Sequence, residues 1–359
     1  MRSHLNFTLK GSQFFPVWIA FFFFFLIPMH LLLGEFNELI ASDVPAEGPS
    51  KMFFLYLAIV LVMAFIFILF ITKLVIQSIE FNGIKLICDY HTAKYIGIII
   101  SGLLLSIVTI GIYIPWFVRN INRFLIHGIS YNSHKFAFKG RGGKLFMIMT
   151  LTIFIAFLLV GIVLFSIFKP SIDIQSPDFI WIYQVVVISI LVTIIYLTFQ
   201  WMVNIRYKNY LIRLNTEFFP AIGKIAVELV MAVILVFIFE WLTSFIVIML
   251  WNPDSFPAAG KIAVELVLAV TTLSIYFAMA FIRLYSYFAE HTRSNIVDGK
   301  QFTMGYIGDQ VSDFKFMWEQ ILLTVITLGF YYPWAFSRIA SRVLNQTYMS
   351  VDLVVVQEK

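Results

Sequence analysis

Eight apolar runs, at about 14–34, 53–77, 96–116, 146–168, 179–201, 222–251, 259–282 and 316–334, leave only short polar intervals between them. Each is close to the ~20 residues that a helix needs to cross a bilayer. No interval is long enough for a soluble domain. Residues 1–359 are therefore expected to form one integral membrane domain, an all-α, polytopic bundle of eight hydrophobic helical segments. Charge supports this: 13% of the chain is charged and 61% hydrophobic, where a soluble domain carries about 25% charged residues. The net charge of +5 is spread between the apolar runs. That spread suits anionic lipid headgroups and not the compact basic patch of a nucleic-acid binder.

Cys88 is the only cysteine, which excludes an intrachain disulfide and a cysteine-built metal site. The first run follows Arg2 and Lys10, is long for a signal peptide and lacks a clear small-x-small cleavage site. It reads as an uncleaved first span.

Two stretches say nearly the same thing. Thr109-Ile-Gly-Ile-Tyr-Ile-Pro-Trp116 and Thr327-Leu-Gly-Phe-Tyr-Tyr-Pro-Trp334 each close an apolar run, so that 109–123 resembles 327–342. Gly111, Pro115, Gly329 and Pro333 interrupt a helix, and Tyr113, Trp116, Tyr331 and Trp334 suit a membrane interface. The arginines that follow, Arg119 and Arg123 or Arg338 and Arg342, suit lipid phosphates. If all eight runs cross, a basic segment is stranded on the outer face. If the two Pro-Trp runs re-enter and six cross, only Lys51, Lys169 and Lys261 of the 25 Lys and Arg lie outside, with both termini cytoplasmic.

A second repetition relates 219–233 to 256–270, with 13 of 15 positions identical at an offset of 37. It places Glu228 and Glu265 four residues after Lys224 and Lys261, on one helix face. Two readings stand: ion or proton stations, or interfacial Lys–Glu pairs at helix starts. Glu240 lies inside the run 222–251 with no Lys or Arg within a turn. It is a candidate proton carrier or a carboxyl at the far interface. Lys139-Gly-Arg-Gly-Gly-Lys144 is basic and glycine-rich but lacks the P-loop frame, and is expected to touch headgroups. The histidines form no ligand set, and no hydrolase, zincin or dinucleotide motif is present. No cofactor, metal or enzyme activity is expected.

The Thr-x-Gly-x-Tyr-x-Pro-Trp motif with its trailing arginines is similar to the signature of the YjgN-like family, bacterial inner-membrane proteins of uncharacterised function. Phe136-Ala-Phe-Lys-Gly140 matches the family's trailing F-x-F-x-G. Arg283 to His291-Thr292 and Phe302 resembles another family stretch, and 204–215 looks like a degenerate copy of the same exit. The resemblance implies a multi-pass protein of the bacterial inner membrane and supplies no catalytic residues. The functional expectation is a transporter or channel-like protein for a small solute or ion. The alternative is a non-transporting envelope protein that binds lipid or organises a membrane complex.

Overall fold

The computed structural model describes residues 2–41, 50–151, 193–217, 220–228 and 278–353. The described strands all fall in the polar intervals. They are β1 (Arg2–Phe7), β2 (Ile79–Phe81), β3 (Ile84–Lys85), β4 (Ile87–Cys88), β5 (Ile129–Tyr131), β6 (His134–Phe138), β7 (Asn204–Tyr207), β8 (Tyr210–Leu214), β9 (Thr292–Ser294), β10 (Lys300–Tyr306) and β11 (Thr347–Leu353). Helices α1 (Gly11–Phe21), α2 (Ile27–Ala41) and α3 (Lys51–Gln77) separate β1 from β2, and α4 (Thr92–Val108) and α5 (Ile114–His127) separate β4 from β5. Helices α6 (Gly142–Leu151) and α7 (193–202) lie between β6 and β7, and α8 (220–228) and α9 (278–290) between β8 and β9. Finally α10 (Gln310–Ile326) and α11 (Tyr332–Asn345) lead from β10 to β11.

All eleven strands join one antiparallel sheet in the order β3-β2-β1-β11-β10-β9-β8-β7-β6-β5-β4. Its two ends, β3 and β4, are separated in sequence by Leu86 alone, so the sheet must curl into a nearly closed barrel. Across that seam the Tyr131 hydroxyl donates to the Phe81 carbonyl at 3.2 Å, and the two rings lie 5.7 Å apart. Tight turns link β2 to β3, β5 to β6 and β7 to β8, and a slightly longer loop links β9 to β10. Asn82-Gly83 and Asp298-Gly299 take positive φ there, the backbone twist that hairpin turns require.

Every helical excursion leaves the ring and comes back beside its own starting point. A backbone amide at the outgoing end bonds a carbonyl at the returning end in all five: Thr8 to Ser78 (2.8 Å), Asp89 to Gly128 (2.9 Å), Lys139 to Asn204 (2.8 Å), Asn215 to His291 (2.8 Å) and Ile307 to Gln346 (3.1 Å).

The expected all-α bundle of eight hydrophobic segments is thus overturned. Among the described residues two helices, Gly11–Phe36 and Lys51–Gln77, are long and apolar enough to cross a membrane. The runs 146–168, 179–201, 222–251 and 259–282 lie largely outside the described residues. The two Pro-Trp runs are each broken by the motif into the first helix of a hairpin and the start of its partner. Apolar length alone suggested spans, because a composition window cannot see a reversal of direction.

The motif's residue types explain that reversal. Thr109 Oγ1 donates to the Leu105 carbonyl at 2.7 Å and accepts the Tyr113 amide at 3.0 Å, closing α4 and fixing the turn. Thr327 does the same with Leu323 and Tyr331, at 2.8 and 3.1 Å. The amides of Gly111 and Gly329 reach back to Ser106 and Thr324 at 2.7 and 2.8 Å, satisfying carbonyls that a helix end would orphan. Their φ values of 85° and 87° suit glycine and strain an L side chain. Pro115 and Pro333 then open the return helices, where a missing amide costs nothing. The second hairpin begins 218 residues after the first (310 against 92), and the helix limits coincide throughout at that offset. Both tips are bare and apolar: Ile110 is 93% and Leu328 87% exposed.

Gly111→Ala and Gly329→Ala are each expected to lower stability by about 1 kcal/mol, since an alanine is strained at positive φ. Urea unfolding in detergent micelles, followed by tryptophan fluorescence, checks this.

Candidate functional site

The two hairpins share a backbone and differ inside. In the first, Tyr95 stacks on Phe124 at 5.3 Å, and Gly102 leaves room for the Phe117 ring, which a Cβ there would meet at 2.0 Å. In the second, the same four positions hold Asp313, Arg342, Gln320 and Ala335. Asp313 is 1% exposed. Its carboxylate accepts from Arg342 Nε at 2.6 Å, Gln346 Nε2 at 3.1 Å and the Tyr306 hydroxyl at 2.6 Å. Burial and the adjacent carboxylate push the Tyr306 phenol far above its ordinary range.

The trailing arginines are not in equivalent register. Arg119 stands three residues after Trp116, whereas Arg338 stands four after Trp334. The position of Arg338 is held in the first hairpin by Asn120, and each serves the motif tyrosine: Arg338 Nη1 donates to Tyr331 Oη at 2.7 Å, and Asn120 to Tyr113 Oη at 3.2 Å. Tyr113 and Tyr331 stack on Trp116 and Trp334 at 6.4 and 6.2 Å. Arg119 Nε is buried without a hydrogen-bond partner. Arg123 is exposed at the open end of its hairpin.

Of the carboxylates singled out in sequence, Glu228 is buried and forms an ion pair with Arg283 on α9 at 3.6 Å, while Lys224 is exposed. Glu240 and Glu265 lie outside the described residues, as does most of the 219–233 and 256–270 repetition. Among the described residues no cluster of three or more His, Cys, Asp or Glu could hold a metal ion. Cys88 is buried, and burial pushes its thiol up.

What sequence reasoning missed is the charged face of the ring. Residues directly opposite on paired strands share a face. Arg2, Ser350, Thr303, Arg293, Arg213 and Asn204 are successive cross-strand partners, so one polar stripe crosses six strands. On the other face Phe7, Phe138, Leu214 and Tyr306 are buried against the helices. On the polar face Arg213 sits directly opposite Arg293, a like-charge pairing that costs stability unless an anion screens it.

Beside it opens a cavity of ≈ 500 Å³ lined by Lys139, Arg141, Lys144, Arg206 and Arg213, with Gln200 and Trp201. Among the described residues none of these five cations has a carboxylate within 4.0 Å. Lys144 Nζ donates to Gln200 at 2.9 Å, and the Trp201 indole donates to the Arg141 carbonyl at 3.0 Å, so the basic turn is anchored to α7. Glycine is needed at 140 and 142 for close approach: a Cβ would meet Phe138 at 2.3 Å or Trp116 at 2.7 Å. Five unpaired cations converging on one hollow with an aromatic wall can hold a phosphate or another multivalent anion.

Arg342→Ala is expected to cost about 3–5 kcal/mol, because it leaves Asp313 buried without its counter-charge. Replacing both residues, Asp313→Leu with Arg342→Met, should recover most of that loss. Paired thermal or urea unfolding curves in detergent measure the difference.

Residues 2–126 match the family described as "Bacterial protein of unknown function (DUF898)". Over 84 residues the chain is 33% identical to the inner membrane protein YjgN of Salmonella typhimurium, an alignment covering 23% of this chain and 21% of that protein. No solved structure matches. The two matches bear out the resemblance to the YjgN-like family.

Proposed function

We propose that this YjgN-like chain is a bacterial inner-membrane protein whose β-ring lies at the lipid–water boundary and binds phosphate-bearing lipid headgroups. The observation that carries this reading is the cavity of five cations, Lys139, Arg141, Lys144, Arg206 and Arg213, without a carboxylate partner among the described residues. The similarity to an inner membrane protein supports the location.

The geometry of the excursions supports the orientation. The strand register places the outgoing and returning feet of all five excursions on one rim of the ring, with the hairpin turns on the other. The tips are apolar and exposed, as acyl chains require, and the ring collects the cations, as the loop-charge rule requires of a cytoplasmic surface. The two hairpins with a common turn and a 218-residue offset are read as copies of one internal unit. The convergence of cations on one hollow of the ring is what favours the lipid reading over transport.

Two measurements test it. In the Arg206→Gln/Arg213→Gln double variant, retention of cardiolipin or phosphatidylglycerol by the detergent-purified protein is expected to fall about a hundredfold, as loss of two charge-assisted bonds of ~1.5 kcal/mol each implies. Native mass spectrometry reads the adducts. Undiminished retention would sink the headgroup reading. For orientation, cysteines placed at Ser133 or Asp298 in a Cys88→Ser background should react with impermeant maleimide in inside-out vesicles and not in spheroplasts. A cysteine at Leu328 should react in neither. Labelling of Ser133 and Asp298 from opposite faces would refute a single-sided ring.

A further inference from the structure

The open end of the α4/α5 hairpin carries a second hollow, of ≈ 500 Å³, that the headgroup cavity does not include. Its charged lining is Asp89, Lys94, Arg123 and Lys135, with His127 beside them and Ile98 and Phe124 as an apolar wall. A groove of ≈ 580 Å³ occupies the same place on α10/α11. Phe316, Arg338, Ser341 and Asn345 of that groove stand 218 residues after Ile98, Asn120, Arg123 and His127 of the first (316 against 98). The hollow therefore comes from the shared backbone, and the side chains decide what it takes.

In the second groove the arginines are held by the chain itself, Arg342 by Asp313 and Arg338 by Tyr331. In the first, Tyr95 and Phe124 replace the ion pair, and Lys94, Arg123, Lys135 and Asp89 form no ion pair within 4.0 Å among the described residues. Its charges are of both signs, unlike the all-cationic ring cavity. His127 lies beside them, its Nδ1 2.7 Å from the Arg123 carbonyl, which can only accept, so Nδ1 carries a proton. Three cations suit a phosphate, and the Asp89 carboxylate suits an ammonium.

We propose that this groove binds an aminoalkyl phosphate, the chemistry of a phosphoethanolamine headgroup. The hairpin sets the source as lipid. Its 17-residue first helix is about 25 Å long, so an exposed apolar tip in the acyl region leaves the groove at headgroup depth. The assignment to lipid rests on the ring lying at the membrane surface, whereas the aminoalkyl phosphate chemistry does not.

Purified protein in detergent is titrated with phosphatidylethanolamine, phosphatidylglycerol or soluble glycerophosphoethanolamine, and adducts are counted by native mass spectrometry. Asp89→Asn is expected to weaken phosphatidylethanolamine about tenfold and leave phosphatidylglycerol unchanged, since only the ammonium contact is lost. Asp89 is exposed and its amide bond to Gly128 is retained in the variant, so folding is preserved. Arg123→Gln should weaken phosphatidylethanolamine and glycerophosphoethanolamine alike. Equal affinity for the soluble compound supports the chemistry and moves its source from lipid to a free aminoalkyl phosphate. Phosphatidylethanolamine binding that Asp89→Asn leaves intact overturns the proposal. Arg206→Gln/Arg213→Gln acts as the separating control: it should spare this groove, and its own failure on anionic lipid would count against the ring cavity alone.

Discussion

The closure of a short-stranded sheet into a ring is what the rest of the molecule hangs on. Its strands are two to seven residues long, and no single pair of that length is stable in water. Closure removes the edges, so every strand finds partners on both sides or meets the seam at Leu86. The junction bonds from Thr8, Asp89, Lys139, Asn215 and Ile307 then tie the two feet of each helical excursion together. With both feet fixed, an excursion can vary in length or interior without disturbing its neighbours. The first excursion reaches 27 residues in one helix, while the hairpins turn back after 17.

That independence explains how two hairpins of identical turn and length hold opposite interiors. An aromatic stack of Tyr95 on Phe124 is worth about a kcal/mol beyond its burial and makes no demand on geometry elsewhere. An ion pair at the same positions must recover the desolvation of two charges, and does so only when every remaining lone pair is used. Asp313 comes near that condition: with Arg342, Tyr306 from β10 and Gln346 at the end of α11 bring three hydrogen bonds to its two oxygens. Both partners sit at the feet of the hairpin. The second hairpin is thus bonded to the ring through side chains as well as backbone, and it is also where the N-terminal segment docks. Ser337 donates to the Leu9 carbonyl, Asn345 accepts the Phe7 amide at 2.9 Å, and the Phe14 ring lies 5.2 Å from Phe336. The N-terminal segment and the last strand therefore meet on a hairpin that is polar inside.

The helical half of this fold was legible in sequence, and the sheet was not. The Thr-x-Gly-x-Tyr-x-Pro-Trp motif predicts an interruption, and each of its residues has a bond or conformation in the turn that accounts for it. The strands were hidden because they are short and lie between runs that dominate any hydropathy window. Their signals were nonetheless present: Asn82-Gly83 and Asp298-Gly299 are hairpin-turn pairs, and Arg206, Lys208 and Arg213 alternate or nearly alternate with apolar residues in 204–214. The basic turn at 139–144 was read as a headgroup contact, but Arg206 and Arg213 join it only through strand pairing some 70 residues away in sequence. The carboxylates were judged by distance from a helix start. Glu228 is instead placed by Arg283, a partner on another helix that no local spacing could reveal.

A closed ring also resolves a difficulty that the apolar hairpins would otherwise create. Non-helical backbone is tolerated at membrane depth only when covered, and the Pro-Trp turns cover themselves: the Thr109 and Thr327 hydroxyls take the exposed amides, and the Gly111 and Gly329 amides take the carbonyls. What remains at the tip is apolar side chain. In the second hairpin the polar side chains lie in the interior and at the feet, where the ring gathers the strands. Cations placed there have water on one side and, in the orientation proposed, lipid phosphate on the other. Arg213 opposite Arg293 is then a pairing that only an outside anion makes favourable. On the reading proposed, the charge concentrated at the ring holds the headgroup while the hairpin tips stay apolar.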